Sequence, residues 1–331
     1  MTLFDDSFSN PPEHSENPPP ADADPAAPPT NEAVTPPLTS DLLPFTPPPP
    51  VPYALRPEVP DDLGISWSWV HLLCFIFFCV ASLILVQTVF ALYYAPHKAL
   101  PQKELEQYLF SIPQFIVGSN ITWFATILLF LYVTLSVLPG KPFWRTLGWR
   151  KFLPEGSAAP TALPAKPWLY FFSGTALSLL TSVVGSRVHT PDDMPIELLL
   201  KSKLGAMLMM SMAVAIAPLV EETIFRGYLY PVLVRIISGI LRFLGVEAVQ
   251  AIRNGTVSSI LLTGFLFGLL HGAQLAWTWG IVSLLIFVGI TFTYVRARTG
   301  TVFASYLMHL GYNSLIALAA IPSFTKLPLP H

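Results

Sequence analysis

The hydropathy of the chain changes abruptly at Trp67. Trp67 to Tyr94 is one apolar run with Trp at its start and Tyr at its end, as expected of a spanning helix with interfacial anchors. Further runs follow at about Ile116–Leu138, Trp168–Val184, Leu204–Ile240, Ser258–Leu270, Leu275–Val295 and Val302–Ile321. The pattern predicts an all-α, polytopic transmembrane helix bundle of seven spans. The count rises to eight if Pro218 divides the long fourth run into a half-helix and a full helix.

Composition agrees: 53% of the 331 residues are hydrophobic, 11% are charged, and the mean hydropathy is +0.56. That balance belongs in lipid. The formal net charge of −2 gives no footprint for nucleic acid, so none is expected as a partner. Residues 1–62 hold about half of the 34 prolines and too little apolar surface to offset chain entropy, so they read as a disordered tail. Its first residues lack the basic and apolar regions of a cleaved leader, which leaves the first apolar helix as the targeting signal. The expected organisation is this tail, two helices with their loops over 63–145, a loop at 146–167, a core at 168–321 and a short tail at 322–331. Cys74 and Cys79 are the only cysteines and fall on different faces of one helix, which argues against a disulfide or a metal knuckle. Cationic residues cluster in the loop with Lys141, Arg145, Arg150, Lys151 and Lys166, the loop with Arg235, Arg242 and Arg253, and the turn with Arg296 and Arg298. With seven spans these all face one side, which the positive-inside rule makes cytoplasmic, as is the N-terminus. The protein is expected to be a multi-pass protein of the cell (plasma or inner) membrane, in contact with lipid.

An ionisable side chain in so apolar a segment costs several kcal/mol unless it faces the bundle interior and finds a partner. Three clusters draw attention on that ground. In Glu221-Glu222-Thr223-Ile224-Phe225-Arg226, Glu222 and Arg226 are four apart and share a helix face, so they can pair. Glu221 points about 100° away, with no local partner, and suits a general base. The competing reading is a solvated turn in the head-group layer. In Phe267-Gly268-Leu269-Leu270-His271 the Phe ring can pack beside the imidazole, and Gly264, Gly268 and Gly272 form a ridge for close helix approach. A single His at a helix end is commonly structural. In His309-Leu310-Gly311-Tyr312-Asn313 two hydrogen-bonding side chains share a face deep in the last span, where interhelical bonding is the alternative.

In this order, Glu-Glu-x-x-x-Arg, Phe-x-x-x-His and His-x-x-x-Asn on separate apolar helices resemble the CPBP family. This comprises CAAX prenyl endopeptidases of the Ras-converting type and bacterial relatives formerly called Abi proteins. The resemblance implies that Glu221 and His271 activate a water, that His309 and Asn313 stabilise the oxyanion, and that Glu222, Arg226 and Phe267 support them. It implies a protein or peptide substrate, lipidated ones included, and an intramembrane glutamic endopeptidase that needs no cofactor. Two imidazoles and a carboxylate also satisfy zinc, but His-Glu-x-x-His on one helix is missing, so the metal-free reading is adopted. Two rivals stand beside it. One is a non-catalytic scaffold or immunity-type protein of the same fold; the other is a proton-coupled transporter, which should show an internal repeat that the sequence lacks.

Overall fold

A computed structural model of the chain describes residues 63–96, 100–152, 166–189 and 202–324. The tail at 1–62, most of the loop at 146–167 and residues 325–331 of the C-terminal tail lie outside them. Nine helices and a short 3₁₀ turn at Ala273–Leu275, with no strand, make up the regular structure of the described residues. They are α1 (Trp69–Tyr94), α2 (Gln102–Phe110), α3 (Pro113–Val137), α4 (Phe143–Thr146), α5 (Pro167–Gly185), α6 (Lys203–Phe243), α7 (Ala248–Leu270), α8 (Trp279–Thr299) and α9 (Val302–Phe324). Seven of them, all but α2 and α4, are long and apolar enough to cross a bilayer. The protein is a multi-pass integral membrane protein built as an all-α bundle.

Pro218 does not split the fourth run. α6 continues for 41 residues, about 60 Å at the α-helical rise, roughly twice a hydrocarbon core. A proline lacks the N–H for the helix ladder and crowds the carbonyl four residues before it. The π-helical turn Met212–Ile216 sits just where that crowding falls, and a second, Thr223–Leu229, precedes Pro231. One wide turn absorbs each misfit without ending the helix. α7 begins at Ala248, ten residues earlier than the hydropathy suggested. Glu247 caps it by accepting from the Val249 and Gln250 amides, and Gln250, Arg253 and Asn254 kept its first turns out of the apolar run.

The bundle is inside out relative to a soluble protein: Phe77, Leu92 and Tyr93 on α1 are among its most exposed side chains. Small residues let the helices meet. A Cβ on Gly174 of α5 would overlap the Met308 carbonyl of α9, and one on Gly311 would overlap the Phe171 carbonyl in return. Gly264 and Gly268 of α7 face Ile290 and Ile286 of α8, so the expected ridge holds for these two. Gly272 instead meets Trp277, beyond the helix. One core cluster joins α1, α3, the turn at Leu147 and α6 through Phe75, Leu131, Leu147 and Tyr228; another joins α5, α8 and α9 through Tyr170, Val288, Phe292 and Met308.

Candidate active site

The π turn of α6 presents Arg226 toward α8, one turn after Glu222. Arg226 Nη1 donates to Glu222 Oε1 at 2.9 Å, Nη2 to the Gly289 carbonyl at 2.9 Å, and Nε to Thr293 Oγ1 at 3.2 Å. The Thr293 hydroxyl donates in turn to the Gly289 carbonyl at 2.7 Å. The rings of Phe267 and Phe292 lie 4.6 and 5.3 Å from the guanidinium carbon. A fully buried cation is tolerable only with acceptors and ring faces such as these around it. Gly289 is required for this approach: a Cβ there would stand 2.8 Å from the Gly264 carbonyl oxygen of α7.

Glu222 has a second partner that spacing along one helix cannot reveal. His309 Nδ1 on α9 lies 3.0 Å from Glu222 Oε1. His309 is therefore held with Nδ1–H toward the carboxylate, a tautomer assigned from its partner, and with Nε2 toward Glu221 Oε2 at 3.8 Å. His271, just past the end of α7, is fixed likewise: Nδ1 is 2.8 Å from the Phe267 carbonyl, and Nε2 is 4.0 Å from Glu221 Oε1. Phe267 packs beside His271 in a tilted arrangement at 4.8 Å between ring centres and meets His309 edge-on at 5.8 Å. Glu221 thus sits between the Nε2 atoms of two histidines from different helices. His309 lies seven residues beyond the first residue of α9, about 10 Å along its axis and well below the helix end.

The expected residues come together with one reservation about position. Glu221, Glu222, Arg226, Phe267, His271 and His309 form one group. Asn313, a turn further along α9, donates through Nδ2 to the Ala213 carbonyl in the first π turn of α6 at 2.8 Å. Among the described residues, no set of three His, Cys, Asp or Glu side chains is arranged to hold a metal ion. The donors nearest to such a set are the two Nε2 atoms and Glu221.

Residues 203–315, from the first turn of α6 to the middle of α9, match the family model described as type II CAAX prenyl endopeptidase Rce1-like. This stretch is similar to a CAAX protease domain. It contains every residue of the group above, on α6, α7 and α9 and the α8 segment that braces them. No curated protein and no solved structure matches the chain.

The site also rests on contacts that the sequence did not signal. Gly289, Phe292 and Thr293 look like ordinary packing residues of an apolar helix, and only their position opposite Arg226 sets them apart. His71 is the third residue of α1, and its Nδ1 is 2.7 Å from the Tyr228 hydroxyl, two residues after Arg226. It ties α1 to the π turn of the site, with Trp67 stacked on Tyr228 at 5.6 Å. Arg296 had read as a turn residue facing the cytoplasm. It is fully buried in the last turn of α8 beneath Gly148, whose positive φ of 78° and missing side chain make room for the guanidinium.

Proposed function

We propose that this group hydrolyses a peptide bond within the apolar layer, with Glu221 and His271 activating the attacking water. The observation that carries the reading is a division of exposure. The side chains of Glu221 and His271 are 16% and 24% exposed, whereas Glu222 and Arg226 behind them are at 0%. Groups that must meet water and substrate are open, and the pair that holds them is sealed. With Nδ1–H committed to the Phe267 carbonyl, neutral His271 offers an Nε2 lone pair toward Glu221. Two acceptors 4.0 Å apart suit a water that donates one hydrogen to each and keeps its lone pairs for attack on a carbonyl.

His309 then acts on the oxyanion. Because Nδ1–H faces Glu222, Nε2 can donate only in the imidazolium form. In that form Glu221, Glu222, Arg226 and His309 sum to zero charge, which favours a cluster so little hydrated. Asn313, on the same face of α9, supplies a second donor through the amide hydrogen not spent on Ala213. The substrate class is a protein or peptide, lipidated CAAX sequences included.

The test is cleavage of a peptide panel containing a farnesylated CAAX peptide by purified, detergent-solubilised protein. Wild type is compared with Glu221→Ala and His271→Ala, with and without chelator. Activity lost in both variants and retained with chelator is the expected result. Loss with chelator and recovery with zinc would make the two Nε2 atoms and Glu221 a metal site. A folded wild type that turns over no peptide would leave the scaffold reading in its place.

A further inference from the structure

Seven spans bring the starts of α1, α5, α7 and α9 and the ends of α3, α6 and α8 to one end of the bundle. Cross-contacts join these pieces there: the Val302 amide donates to the Gly148 carbonyl, and Arg235 Nη1 donates to the Ile65 and Trp67 carbonyls. This end gathers the cations of the 141–151 turn, the α6–α7 hairpin and the α8–α9 turn. Among the described residues its one carboxylate is Glu247, which is committed to the first amides of α7. Arg150, Lys151 and Arg296 are engaged elsewhere, so the charge that counts at this end is that of the exposed side chains.

Two adjoining concavities open on this end, on either side of the segment that leads into α1. One is a small polar cavity of about 100 Å³ whose walls include Ser66, Lys141, Arg145, Thr146 and Arg150. The other is an apolar groove of about 400 Å³ formed by Leu63, Val234, Gly239 and Ile252, with Arg235 and Arg242 among its walls. Gly64 and Ile65 line both, so the two adjoin across this segment, where exposed Gly64 presents no side chain. Lys141, Arg145 and Arg242 are exposed; Arg150 and Arg235 have other bonds of their own.

We propose that the two concavities together bind one anionic phospholipid, its phosphate in the basic cavity beside Lys141 and Arg145 and an acyl chain in the groove along Gly239. Three features converge on an amphiphile with a phosphate head. The cavity is basic, the groove beside it is apolar, and both lie at the helix ends, where a bilayer presents its head groups. A free anion would use the cavity and leave the groove unexplained, and a neutral lipid would leave the cations unexplained. The site stands apart from the Glu221 group, and its readout does not depend on peptidase activity.

The experiment is native mass spectrometry of the full chain, delipidated in detergent and titrated with phosphatidylglycerol, phosphatidylcholine or inorganic phosphate. Phosphatidylglycerol is expected to be retained in preference to phosphatidylcholine. The double variant Lys141→Gln, Arg145→Gln should weaken that retention about tenfold or more, since a cation near an anionic surface is worth about a factor of five. Gly239→Leu should weaken it too, because a Cβ at Gly239 meets nothing within 4 Å and the larger side chain fills the groove without disturbing the helix. Arg187→Gln, at the other end of the bundle, should change nothing. Equal retention of the two lipids, an equal effect of Arg187→Gln, or no effect of Gly239→Leu would each overturn the proposal. Displacement of the lipid by equimolar inorganic phosphate would assign the cavity to a free anion and overturn it as well.

Discussion

Glu221 and Glu222 are adjacent in sequence and opposite in circumstance. Glu222 is sealed between Arg226 and His309, while Glu221 faces the opening between two imidazoles. Their neutral variants should therefore fail differently. Glu221→Gln should lower kcat by about 10² to 10⁴, the usual weight of a general base, and leave the melting temperature in detergent unchanged. Glu222→Gln should cost about 3–5 kcal/mol of stability, because it leaves Arg226 buried without its counter-charge. Denaturation of the two variants side by side checks this, and a Glu222→Gln protein as stable as wild type would contradict the account. Thr293→Val removes one acceptor from Arg226 Nε and should cost about 1–3 kcal/mol in the same assay. The Glu222–Arg226 pair was legible in the sequence because four residues make one helical turn. Its other partners were not, because His309, Gly289 and Thr293 reach it across helix interfaces that no spacing within one helix encodes.

At the scale of elements, six of the seven spans were legible to within a few residues, since an apolar run of the right length has few alternatives in lipid. α7 was the exception: its first ten residues are polar enough to pass for a loop, and only the Glu247 cap explains why they are helical. The bonds from the Val249 and Gln250 amides hold the Glu247 carboxyl below the usual carboxylate range. A group with a lowered folded-state pKa stabilises above its unfolded pKa and ceases to do so as pH falls through the folded value. The first turn of α7 should thus fray as pH drops below the ordinary carboxylate range, seen as faster hydrogen exchange at Val249 and Gln250. Exchange insensitive to acid there would contradict the cap. The α5–α9 contact is less forgiving. Gly174→Ala would drive a methyl group into the Met308 carbonyl, and the α9 helix that carries His309 and Asn313 would have to move. Folded yield in detergent should fall sharply; a normal yield would mean that the two helices pack less closely. Neither Gly311 nor its reciprocal partner Gly174 was legible as a contact, because each stands in an apolar run and only the helix crossing pairs them.

At the largest scale the described residues form a seven-span bundle with a sealed ion cluster in its interior and a basic end. The positive-inside rule predicts that this end lies in the cytoplasm, and the prediction is open to a direct check. In a chain whose Cys74 and Cys79 have been replaced, a thiol-reactive probe added outside the cell should label Lys103→Cys and spare Arg298→Cys. The opposite pattern would invert the orientation and place the Glu221 group near the outer face. The central claim is narrower: a water held by Glu221 and His271 cuts a peptide bond. A single turnover of a cleavable peptide in ¹⁸O-labelled water, followed by mass analysis of the product, tests it most directly. The account predicts one labelled oxygen in the new carboxylate from that first turnover and no product from Glu221→Gln. An unlabelled first-turnover product, with the label already in Glu221 after that turnover, would show that the carboxylate attacks the peptide itself and would contradict it.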